Sequence, residues 1–269
     1  MVTATPQAIL QGMQPPTTIA KAITPTLVVS RPHSLFYLAG TGGAAAAPTP
    51  GIAGAALTSY TGQLPFLNPA GALEARLANF NATSGQPGTL VLADRLWHNS
   101  GLNLTISTAQ TINSVALPAR DSNGVINGEN VFIGLEVSTI TGSGTPSFSM
   151  TYTNPSGTAG KTANGLLTGV ATSAIGAFYP MGTASGDNGV KTVETFTLSA
   201  TWTSGTAHLV AYRELARLNI PSGSLPTPLD VLTGGFTMAF ANTVPFLIWI
   251  PAVTQTVIIS GGLTFTHLA

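Results

Sequence analysis

The chain has 269 residues, of which only nine are basic and nine acidic, and it contains no cysteine. A soluble domain usually carries about a quarter charged residues, so a surface this poor in ions suits a protein whose faces are covered by neighbours in an assembly. Zero net charge offers no field to nucleic acid, and the missing cysteines exclude disulfides, thiolate nucleophiles and Cys-ligated zinc.

The opening Met1-Val-Thr-Ala-Thr-Pro-Gln has neither a basic nor an apolar signal region, so export by a secretory leader is not expected. Residues 1–66 contain Pro6, Pro15, Pro16, Pro25, Pro32, Pro48, Pro50 and Pro65, with the low-complexity run Gly40-Thr-Gly-Gly-Ala-Ala-Ala-Ala between them. Each proline removes a backbone donor and biases its predecessor away from helix. The segment reads as an extended arm that orders by lying on something else.

A helix is predicted from about 69 to 80: Asn68 can cap it, Pro69 suits its first turn, and Leu73, Leu77 and Phe80 recur at spacings of four and three. A connector to residue 88 follows. From Thr89 onward, short runs rich in β-branched and aromatic residues recur at 89–97, 102–107, 131–137, 147–153, 193–198, 207–213 and 256–260. Asn127-Gly, Asp187-Asn-Gly and similar turn signals separate them. The fold expected for residues 89–269 is an antiparallel β-sandwich, with jelly-roll connectivity favoured over a barrel. The run Phe246-Leu-Ile-Trp-Ile is too short to cross a membrane and reads as a central strand or a subunit interface.

Chemistry-bearing patterns are sparse. Asp94 and His98 would pair on a helix, but four residues along a strand separate them by about 13 Å. His33, His208 and His267 lack a neighbouring carboxylate or second histidine at ligand spacing, so no metal site is expected. The Gly40 loop lacks the helix and acidic residue of a dinucleotide site. Asp121-Ser-Asn-Gly-Val-Ile-Asn-Gly-Glu-Asn resembles a calcium loop, but Val125 stands where an oxygen ligand is needed, leaving a plain Asn-Gly turn as the better reading. No catalytic residue, cofactor or metal is assigned.

The stretches Gly134-Leu-Glu-Val-Ser, Thr151-Tyr-Thr-Asn-Pro-Ser-Gly-Thr-Ala-Gly-Lys, Gly186-Asp-Asn-Gly-Val-Lys-Thr-Val-Glu-Thr-Phe and His208-Leu-Val-Ala-Tyr-Arg resemble structural proteins of tailed-bacteriophage virions over roughly residues 90–217. The resemblance implies a virion location and partners among virion proteins, the major capsid protein included. It transfers no functional residue. A long shell-protein spine helix and fibre repeats are both missing from the sequence. A β body with an arm therefore points to a non-enzymatic decoration or cement protein, a homo-oligomer such as a trimer, with no direct contact to nucleic acid or membrane. Leu35, Phe36, Tyr37, Leu64 and Phe66 of the arm, with Phe246 and Trp249, are the expected interface residues. Two alternatives stay open. A tail or neck protein could bind a glycan through Tyr152, Tyr179 and Trp202, and a glycan-degrading enzyme would need two converging carboxylates among Asp94, Glu136, Glu194 and Glu214.

Overall fold

The computed structural model describes residues 5–23, 25–221, 225–233 and 236–269. The chain opens with helix α1 (Pro6–Gln11), then strands β1 (Thr17–Ile23), β2 (His33–Ser34), β3 (Ala55–Ala56), β4 (Glu74–Ser84), β5 (Gly88–His98) and β6 (Gln110–Thr111). Its middle adds β7 (Phe132–Thr139), β8 (Phe148–Thr153), β9 (Lys161–Asn164), β10 (Phe178–Pro180) and β11 (Thr192–Leu198). The long β12 (Thr206–Ile220) follows, then β13 (Thr227–Asp230), β14 (Met238–Ala239), β15 (Pro245–Pro251) and β16 (Val257–Leu268).

These strands make three antiparallel sheets. The central one has the order β10-β7-β12-β5-β15-β2, with β3 also on β5; a second has β1-β16-β4-β13, with β14 on β4; the third has β6-β11-β8-β9. β8 shows the alternation of a half-buried strand, Phe148, Met150 and Tyr152 turning inward, while β5 is buried at almost every position because both its faces are covered. The expected β-sandwich is present, but it is layered around one central sheet.

One core lies where the β8–β11 sheet packs on the central sheet, joining Tyr152, Phe196 and Trp202 to Leu96, Trp97, Leu135 and Leu209. A second lies where the β4–β16 sheet packs further along, joining Phe80, Ile259 and Leu263 to Leu90, Leu92, Leu218 and Trp249. β5 and β12 run through both. A third cluster, Phe36, Val91, Ala93, Phe178, Val210, Phe246 and Ile248, occupies the opposite face of the central sheet, beneath Tyr37, Ala45 and Tyr60.

The predicted helix over 69–80 is replaced by β4, and the helix observed among the described residues is α1, capped by the Thr5 hydroxyl, which accepts from Ala8 N. The cause is a β-bulge. Leu77 pairs with Phe265 and Asn79 with Thr264, so Ala78 is an extra residue that resets the alternation and turns Leu77 and Phe80 to the same face. Two inward apolar residues three apart mimic a helix. The run 102–107 is not a strand either; Leu102 and Leu104 are buried as pegs from a turn.

The proline-rich N-terminal segment lies on its own chain. β1 pairs with β16, β2 with β15 and β3 with β5. Lys21 Nζ donates to the carbonyls of Leu38 and Gly42, fastening the following loop across β1.

Candidate functional site: an ionic core and a proline-lined groove

Seven of the 18 charged residues, Lys21, Asp94, Arg95, Arg120, Asp121, Glu136 and Arg213, are buried. The surface is therefore still poorer in charge than the composition implies. Arg95 on β5 forks onto Glu136 of β7, Nη2 to Oε2 at 2.7 Å and Nη1 to Oε1 at 3.1 Å. His208 Nε2, on β12 between them, lies 2.7 Å from Glu136 Oε2 and 2.7 Å from the Tyr37 hydroxyl. Arg95 Nε donates to His98 Nδ1 at 3.2 Å, and the guanidinium stacks 4.2 Å from the centre of the Phe36 ring.

Burial alone would raise the Glu136 carboxyl, but the Arg95 charge and the His208 hydrogen bond outweigh it and hold the group well below the usual carboxylate range. Burial lowers His208, and burial with the neighbouring Arg95 and His208 lowers His98 to about 3, so both rings are neutral. Burial and Glu136 raise the Tyr37 hydroxyl. The carboxylate oxygens are all engaged, and none of these side chains lines the surface cavities of about 230 to 730 Å³. The arrangement locks three strands together under the cover of Tyr37.

Asp94 and His98 do not meet. Asp94 takes a second buried arginine, Arg120, with Nε to Oδ2 at 2.9 Å and Nη2 to Oδ1 at 3.1 Å, and accepts from Val244 N at 2.9 Å. Asp121 accepts from four backbone amides, those of Asn123, Val125, Gly128 and Glu129, which occupy the oxygens a calcium ion would need. Of the remaining carboxylates considered, Glu194 accepts from Thr153 Oγ1 and Gly160 N, and Glu214 pairs with Arg217. Tyr152, Tyr179 and Trp202 are all core residues, so they form no glycan platform. His267 Nε2 lies 3.1 Å from the Leu67 carbonyl oxygen.

The expected interface residues are corrected in the same way. Leu35, Phe36, Leu64, Phe246 and Trp249 are at most 2 % exposed because they fill this chain's own cores, where no neighbour can reach them. Tyr37 is half-buried as the lid of the ionic cluster. Phe66 alone faces a usable surface. It packs edge-on to Phe265 at 5.0 Å and lines a groove of about 730 Å³ with Pro15, Pro16, Pro65, Leu67 and Phe265. On the same side, α1 lies along the end of β16, where Thr266 Oγ1 donates to the Ile9 carbonyl oxygen and His267 N to that of Gly12. That seating leaves Leu10 at 72 % and Leu67 at 60 % exposure.

Sequence reasoning missed the ionic core, though a signal for it exists. Ala93-Asp-Arg-Leu, Leu135-Glu-Val and Ala207-His-Leu each set polar residues inside apolar runs of strands buried on both faces, where they must pair with one another. Comparison with protein-family models, curated proteins and solved structures finds no match to this chain.

Proposed function

We propose that this chain is a non-enzymatic structural protein of a tailed-bacteriophage virion, a decoration or cement protein that binds the assembled shell. The observation that carries the reading is the surface: only eleven charged residues lie outside the interior, the 18 of the chain less the seven buried ones. Such a surface is poorly suited to life as a dispersed monomer and well suited to packing among neighbours. The groove beside Phe66, with the exposed Leu10 and Leu67, is the face we assign to the shell, and its rigid proline and aromatic walls fit an extended segment of a shell subunit.

The test is co-sedimentation with undecorated phage shells, followed by heating of the shells with and without bound protein. Saturable binding with added heat resistance, both abolished by Leu10→Glu with Leu67→Glu, supports the reading. Protein that ignores shells and is found only at the tail or neck of intact particles overturns it in favour of a tail-associated role.

A further inference from the structure

Tyr37 and Tyr60 cover one end of the third core. At its other end, on the same face of the central sheet, Val91, Tyr212, Ile248 and Ile250 line a cavity of about 390 Å³ together with Phe178 and Met181. That volume lies in the range of small-molecule sites. An apolar cavity of about 150 Å³ already holds benzene, so this one has room for an aromatic ring and a substituent.

Tyr212, on β12, is the polar group set into this apolar lining. The residue is only 7 % exposed, and its ring packs edge-on to Phe178 with the centroids 5.4 Å apart. Its hydroxyl has no hydrogen-bond partner among the described residues and is not sealed in the interior as His33 Nε2 is; it opens on the cavity. Burial, with Glu214 nearby, raises the hydroxyl well above its ordinary range, so it stays protonated and can donate. The other polar side chains of the lining are already engaged. Thr183 Oγ1 donates to the Asp187 carbonyl oxygen at 3.0 Å, and Glu214 and Arg217 pair at 2.6 Å on the exposed rim. That pair cancels its own charge and offers a charged ligand little attraction. A hydroxyl so poorly solvated gains most from a strong neutral acceptor, and a carbonyl oxygen is one.

We propose that this cavity binds a small neutral carbonyl compound with an apolar body, such as an aromatic ketone, whose oxygen accepts a hydrogen bond from the Tyr212 hydroxyl. The apolar body lies against Val91, Ile248 and Phe178. The site shares no residue with the groove assigned to the shell, and it stands or falls independently of the virion reading.

The probe is acetophenone, titrated into protein labelled with 13C at the isoleucine and methionine methyl groups, with toluene as the comparison ligand that has no acceptor. The expected result is a saturable shift of the Ile248, Ile250 and Met181 methyl resonances with a Kd of roughly 1 mM. The methyl groups of Ile19 and Ile259, buried in the second core, should stay where they are. Tyr212→Phe keeps the ring and removes a hydroxyl that nothing in the fold uses, so those same two resonances should report an unchanged core. This variant should weaken acetophenone about fivefold and leave toluene within about twofold. Absence of a saturable shift at about 10 mM acetophenone overturns the proposal. So do shifts spread equally to Ile19 and Ile259, or a Tyr212→Phe variant that weakens both ligands alike or neither.

Discussion

Asp94 and Arg95 are neighbours on β5 that serve two different ion pairs, Asp94 with Arg120 at 2.9 Å and Arg95 with Glu136 at 2.7 Å. Successive side chains on a strand leave on opposite faces, so one dipeptide anchors both sides of the central sheet. Arg120 extends the tie by donating to the Leu57 carbonyl oxygen at 2.7 Å and accepting, through its own carbonyl, from Arg213 Nε at 2.9 Å.

Removing one member of the Arg95–Glu136 pair leaves a charge stranded where both side chains are fully buried. Arg95→Met should cost about 3–5 kcal/mol in urea unfolding. The double variant with Glu136→Gln should lose less, since no bare carboxylate is left inside; equal losses would show that the missing packing of the arginine, and not the stranded charge, sets the cost.

Stability should fall steadily with acid. An unfolded histidine titrates near 6.5, while burial keeps His33 neutral down to about 4 and His98 down to about 3, and lowers His208 too. Below pH 6.5 the unfolded chain therefore takes up protons that the fold refuses, and His33 and His98 together lower stability by up to about 3 kcal/mol per pH unit, with His208 adding a loss of the same sign. Glu136, depressed from its ordinary 4.5, adds a loss of the same sign below that pH. Urea midpoints at pH 7, 6 and 5 measure this; a flat profile across that range contradicts the neutral assignment.

Gly134 on β7 lies under the Phe178 ring, where an added Cβ would come within 2.2 Å of Cζ. Gly134→Ala should force the ring off the sheet and destabilise by roughly 1–3 kcal/mol. Tryptophan and tyrosine near-ultraviolet signals, read beside the unfolding curve, will show whether the central sheet repacks; an unchanged midpoint would mean that Phe178 has another place to go.

Trp202→Ala separates core from ligand platform. Trp202 is fully buried, packs at a tilt with its ring 5.7 Å from that of Phe148 and donates from Nε1 to the Val170 carbonyl oxygen at 3.0 Å. The variant should lose about 3–5 kcal/mol of stability. Full stability combined with loss of binding to a glycan array would reverse that assignment.

Calcium should leave the melting temperature unchanged, because the Asp121 carboxylate is already saturated by four amides. Asp121→Asn, by contrast, turns an amide donor toward those N–H groups and should destabilise by about 1–3 kcal/mol. Calorimetry with and without calcium on both proteins decides the point.

Strand content was readable wherever the chain alternates cleanly, as at Phe148, Met150 and Tyr152, because period two is imposed by the pleat itself. It was misread at Leu77 and Phe80, since a bulge leaves no local trace and is fixed by pairing with residues almost 190 positions away. The N-terminal prolines were silent on what that segment would lie against, and they gave no sign of the helix at Pro6–Gln11. Leu35 and Leu64 look the same in sequence whether they bury inside the chain or between chains, and only the tertiary structure separates the two. The ionic core was hidden for a related reason. Arg95, Glu136 and His208 lie on three strands, and spacing within any one of them carries no information about the others.

The groove beside Phe66 is assembled from residues 14–18, 63–67 and the Leu263 and Phe265 positions of β16, with β1 zipped to β16 from Thr17 opposite Leu263 to Ile23 opposite Val257. Its walls are thus contributed by segments translated some two hundred residues apart. A ribosome-bound chain that has not yet released β16 has no such surface, so the groove comes into being only after synthesis has passed that strand.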